Sequence, residues 1–134
     1  GSCLLRGVRN TYGLVSGTSA IHTVSLTGTS YHLAINRTTG SSSEPKTIKF
    51  TDLGTAGLGF EFYFYGDIDG SINPVIIENK SGQIMYLYQG GYTAINNDGL
   101  QTILGGTVGS FDMWHAHYRL RNTERTWVIR RIKS

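Results

Sequence analysis

The tightest constraint on this chain is the strict alternation near its C-terminal end. Between Asp112 and Arg121, Trp114, Ala116, Tyr118 and Leu120 fall on one face of an extended strand, and His115, His117, Arg119 and Arg121 fall on the other. A period of two with one apolar and one polar side is the signature of a half-buried strand, and no helix accommodates it. The polar run Asn122 to Arg125 then reads as a tight turn, and a second strand sets Trp127 and Ile129 against Val128, Arg130 and Ile132. A last strand of this kind is expected to tie the end of the chain into the sheet.

The remainder reads the same way, with almost no helix signal. Strands are expected at Tyr12 to Ser16, Ile21 to Leu26, Ser30 to Ile35, Lys46 to Thr51, Leu58 to Tyr65 and Pro74 to Glu78. More follow at Gln83 to Tyr88, Tyr92 to Ile95, Leu100 to Ile103, and in the two C-terminal segments. Clusters of Gly, Ser, Asn and Asp separate them at near-regular intervals, the pattern of a sandwich or jelly roll. In the fifth segment Phe60, Phe62 and Phe64 share a face that needs a dry core, opposite Glu61, Tyr63 and Tyr65. The seventh sets Ile84, Tyr86 and Tyr88 against Met85 and Leu87, apolar enough on both faces for one of them to meet another subunit.

A length of 134 residues suits one domain with its own core. Gly1 and Ser2 read as a cloning scar, and residues 3–134 as a single β domain cut from a longer protein. Cys3 is the sole cysteine, which excludes an intrachain disulfide. No apolar run is long enough for a membrane-crossing helix, so no membrane insertion is expected. Charged residues make up only 16% of the chain, which fits a turn-rich β protein or an oligomer with covered sides. The formal charge of +3 is concentrated towards the C-terminal end. Arg119, Arg121, Arg125, Arg130, Arg131 and Lys133 lack the long basic stripe with interleaved aromatics of a nucleic-acid reader and are read as a solvated face, or as a patch for a phosphate-bearing or acidic glycan.

Several segments carry possible chemistry. His115 and His117 lie on one strand face and are weak candidates for a metal, with no third ligand at a telling spacing. Asp67 to Ser71 has the opening of a calcium loop but reads better as a turn. The polar stretch Arg37 to Pro45 reads as an exposed loop. Neither a Gly-x-Ser-x-Gly elbow nor a phosphate loop is present, the nine acidic residues form no evident pair, and neither catalysis nor a cofactor is expected. Asn36 and Asn79 open Asn-x-Ser/Thr sequons, which bear on function only in a secreted eukaryotic protein.

A glycine-rich segment at Leu104 to Ser110, a strand, a short polar turn and the final strand around Thr126-Trp127-Val128-Ile129 form a recognisable ending. With Phe60 to Tyr65 and Asn73 to Asn79, it resembles the distal knob or tip domain of a tailed-phage tail fibre, tailspike or tail-needle protein. The resemblance covers about the C-terminal half. It implies an all-β antiparallel sandwich of jelly-roll type, similar to the tumour-necrosis-factor knob, assembled as a homotrimer. It implies a virion tail-tip, extracellular location and non-enzymatic attachment to a bacterial surface glycan or receptor. The ligand-binding residues expected on this reading are Tyr63, Tyr65, Tyr92, Asn96, Asn97, Asp98 and Arg121, with aromatic faces for sugar rings and polar side chains for hydroxyls. A purely structural trimerisation cap and a monomeric lectin-like module are the alternatives.

Overall fold

A computed structural model describes residues 12–26, 32–35, 45–66, 74–104 and 112–133. Cys3, Asn36, most of the Arg37 to Pro45 loop, the Asp67 to Ser71 turn, Asn73 and the glycine-rich Gly105 to Ser110 segment lie outside them.

Eleven strands run through the described residues: β1 Tyr12–Val15, β2 Ile21–Thr23, β3 His32–Ile35, β4 Lys46–Thr51, β5 Glu61–Gly66 and β6 Val75–Lys80, then β7 Met85–Tyr88, β8 Tyr92–Ile95, β9 Leu100–Leu104, β10 Met113–Arg121 and β11 Glu124–Lys133. Each falls on a segment expected to be extended. The stretch before β5 differs, because Thr55–Gly57 forms a single 3-10 turn and the strand starts only at Glu61.

The strands form a seven-stranded sheet, ordered β1-β3-β5-β10-β11-β7-β8, and a four-stranded sheet, ordered β2-β4-β6-β9. The fold is all-β as expected, and the expected antiparallel arrangement is corrected, because both sheets are mixed. From β1 to β6 the chain alternates between the sheets, and each strand lies parallel to the one two before it, as in Tyr12 beside His32 and Lys46 beside Val75. Parallel neighbours need a crossover, and here each crossover carries a strand of the opposite sheet. Antiparallel pairing begins afterwards, with β9 returning against β6, β7 and β8 forming a hairpin, and the β10–β11 hairpin inserted so that β10 is antiparallel to β5 while β11 is parallel to β7. Alternation along a strand fixes which side chains point inward. It says nothing about the direction of the neighbouring strand, which is why the antiparallel expectation failed.

Both sheets contribute to one core. Leu33, Phe62, Phe64, Trp114, Trp127 and Ile129 of the larger sheet meet Ile48, Phe50, Val75 and Ile77 of the smaller one. Phe50 is the main bridge between layers, with its ring 5.0 Å from Trp127 and 6.0 Å from Phe62. Fully burying side chains of this size contributes about 1.5–3 kcal/mol each before the cost of ordering them.

The β10–β11 hairpin turns at Asn122, whose φ of 60° an asparagine tolerates better than most residues. Its turn end is pinned to the loop after β4. The Tyr118 hydroxyl donates to Asp52 Oδ1, Arg125 donates to both Asp52 oxygens at 3.3 Å, and the Trp127 indole donates 2.8 Å to the Thr51 carbonyl. At the open end a bulge shifts the register between Met113 and Trp114, so that Trp114 faces Arg131 and Ile132 is left out of the pairing.

Candidate functional site

The outer face of the larger sheet presents a row of side chains set by register alone. His32 pairs with Tyr63, Tyr63 with His115, His115 with Arg130, Arg130 with Tyr88, and Tyr88 with Tyr92. Residues paired across a ladder share a face, so these six cross β3, β5, β10, β11, β7 and β8. At roughly 4.8 Å per strand the row is about 24 Å long. The rings touch along it: His32 stacks on Tyr63 at 5.9 Å, Tyr63 lies 5.0 Å from His115, and Tyr88 lies 5.5 Å from Tyr92.

Beside this row, where β10, β11 and β7 run together, is an open depression of about 490 Å³. Tyr86, Tyr88 and Val128 form one wall, and His115, His117, Arg119, Arg121 and Arg130 supply the polar groups. Tyr86 is stacked on Tyr92 at 5.7 Å. Arg121 lies over the Tyr86 ring at 4.2 Å and donates to its hydroxyl at 2.9 Å, which fixes the guanidinium. His115 Nε2 is 2.6 Å from Glu61 Oε1 at the rim. Burial, together with the charges of Arg119 and Arg130, pushes the His117 imidazole below its ordinary range, with Glu61 opposing.

The expected ligand residues separate into two groups. Tyr63, Tyr92 and Arg121 lie on this outer face, with Tyr92 among its most exposed aromatics at 55%. Tyr65 is on the same face of β5, one step towards the strand end and half-buried. Asn96, Asn97 and Asp98 sit instead in the turn between β8 and β9, where the last two hold a neighbouring turn in place. Asn97 Oδ1 accepts from the Gly82 amide at 2.8 Å, and Asp98 Oδ1 accepts from Lys80 at 2.8 Å. Nearby Asn79 is fully buried and bonded to Gln83, Ile95 and Ser81, so in the fold its sequon is closed to a glycan.

His32, Tyr86 and Tyr88 were not singled out in the sequence as site residues, and Arg119 and Arg130 were singled out only as part of a C-terminal basic patch. Their outward direction was legible from alternation, but their convergence depends on β7 lying parallel beside β11. His115 and His117 have ring centroids 6.1 Å apart, and among the described residues no group of three or more His, Cys, Asp or Glu side chains is arranged to hold a metal. No protein family matches the chain, and no curated protein or solved structure is detectably similar to it.

Proposed function

We propose that this domain is a non-enzymatic attachment module that recognises a cell-surface glycan on the outer face of its larger sheet. The observation that supports it most is the row from His32 to Tyr92, which puts aromatic and cationic side chains side by side on an accessible surface instead of in the core. Tyrosine rings offer flat apolar faces to the C–H faces of sugars, and arginine and imidazole N–H groups offer donors to hydroxyls and acids. An open depression of this kind gives weak single-site binding, for which trimeric avidity compensates. The reading therefore places the domain at the end of a homotrimeric fibre or spike of the phage type, outside the host cell.

Binding of the domain to intact bacteria and to a panel of their purified surface polysaccharides tests this. Replacing Tyr88 and Tyr92 together by alanine is expected to abolish adsorption while the thermal transition stays in place. Adsorption unchanged in that variant would overturn the location of the site.

A structural role as a trimerisation cap is the second reading, favoured by exposed apolar side chains on the first two strands: Leu14 is 57% and Ile21 61% exposed. Native mass over a dilution series separates the readings of assembly. A persistent trimer is required by the fibre-tip reading, and a clean monomer favours a lectin-like module.

A further inference from the structure

The five arginines among the described residues divide sharply. Arg125 is paired with Asp52 at 3.3 Å and Arg131 with Asp112 at 3.4 Å. Arg119, Arg121 and Arg130 have no carboxylate partner among the described residues, and all three border the depression on the outer face. Resting on the attachment reading, we propose that the ligand is an acidic polysaccharide. Its carboxylate groups sit among Arg119, Arg121 and Arg130, and its sugar rings lie on Tyr88 and Tyr92.

Three features select this partner. The cations are all arginines, whose planar fork takes a carboxylate through two parallel N–H donors, a geometry lysine lacks. Arg121 is already held against the ring and hydroxyl of Tyr86, so little side-chain freedom remains to be lost on binding. The tyrosines continue beyond the cations along the row, which gives the neutral parts of a chain a surface to lie on. A nucleic acid fits less well, because tracking its backbone needs a continuing basic stripe. Here Glu61 stands beside His117 and Glu124 opposite Arg121, flanking the cations with negative charge.

The test is titration calorimetry of the whole domain at moderate salt. The probes are three carboxylated polymers (polygalacturonate, alginate and hyaluronan), neutral dextran, and single-stranded DNA. At least one carboxylated polymer is expected to bind, with affinity falling tenfold or more in Arg121→Gln/Arg130→Gln and falling again as salt is raised. These side chains lie outside the core, and a thermal melt confirms that the variant is folded. Binding to no carboxylated polymer, or undiminished binding in the arginine variant, would overturn the proposal. DNA binding as tight as the best polysaccharide would overturn the choice of a glycan acid. Equal binding of dextran, lost in Tyr88→Ala/Tyr92→Ala, would sink the acidic ligand and leave the attachment reading standing. Failure of the wild-type domain to bind any host surface polysaccharide, any carboxylated polymer or dextran would sink both.

Discussion

Arg121 and Tyr86 hold each other in two ways at once: the guanidinium carbon lies 4.2 Å from the ring centroid, and an N–H donates 2.9 Å to the hydroxyl of the same tyrosine. The pair joins β10 to β7 across β11, so it reports on the tertiary arrangement of the outer face. Removing the hydroxyl alone should release the guanidinium without removing the ring beneath it. Tyr86→Phe is therefore expected to weaken binding of an acidic glycan by about 0.5–1.5 kcal/mol, the net worth of one hydrogen bond. Arg121→Lys should cost more, because the planar fork is lost as well. Calorimetry on the two single variants checks the order.

The same face carries a pH dependence whose sign follows from His117. Its imidazole is held below the ordinary range by burial and by Arg119 and Arg130, with His115 adding to the effect and Glu61 resisting it. An anion bound beside it favours the protonated form, so the complex takes up more protons than the free protein. Affinity for a carboxylated polymer is expected to rise as pH falls from about 7 towards 5, above the range where the polymer's own acids are neutralised. In His117→Asn the curve should flatten over that window. A wild-type curve that is flat, or that rises with pH, would separate His117 from the ligand.

Asp52 gives the opposite signature in stability. Its carboxylate accepts hydrogen bonds from Tyr118, then Arg125, then the Gly54 amide, which together hold it down to about 2 from an ordinary value of 3.8. A carboxyl with a depressed folded-state value contributes stability that is present above the unfolded value and is lost as pH falls through the folded one. The loss should therefore occur between about pH 4 and pH 2. Because the Asp52 side chain is 47% exposed, solvent screening limits the effect to no more than about 1 kcal/mol. Denaturant unfolding of wild type and Asp52→Asn at pH 7, 4 and 2 should show the variant less stable at pH 7 and less sensitive to acid below pH 4.

The fold was legible in its parts and not in its connections. Every strand fell on a segment with alternating or β-branched character, and the inward residues Phe62 and Phe64 were readable from the period of two. The sequence left open which face of the seventh segment is buried and offered Trp114 to a subunit interface, whereas Met85, Leu87 and Trp114 are all fully buried in the core. The parallel course of β1 to β6 was not, because a strand's own sequence records which face is buried and leaves open which strand lies beside it. The same limit governs the site. Arg121, Tyr63 and Tyr92 were identifiable as outward-facing polar or aromatic residues, but Arg130 gains its meaning only from lying between His115 and Tyr88. Asn97 and Asp98 look like ligand groups in the sequence. They bond instead to Gly82 and Lys80, partners that only the folded turn supplies.

Asn79 is a buried polar residue that joins the two sheets. It is fully buried at the end of β6, its amide donates to the Gln83 and Ile95 carbonyls at 2.7 and 2.9 Å, and its carbonyl accepts from the Ser81 amide and hydroxyl at 3.0 and 2.7 Å. Through these bonds one side chain ties the strand of the smaller sheet to the β7–β8 hairpin of the larger one. Asn79→Ala leaves buried donors and acceptors without partners, and a cost of about 2–4 kcal/mol is expected. Asn79→Asp is the sharper test, since it keeps the shape while replacing two donated hydrogens with an acceptor facing two carbonyls. It should destabilise at least as much as alanine at neutral pH and recover part of the loss in acid, where the carboxyl is protonated and can donate one of the missing bonds. Equal stability of Asn79→Asp and wild type at neutral pH would mean that the two carbonyls find other donors and that the network does not bind the sheets together.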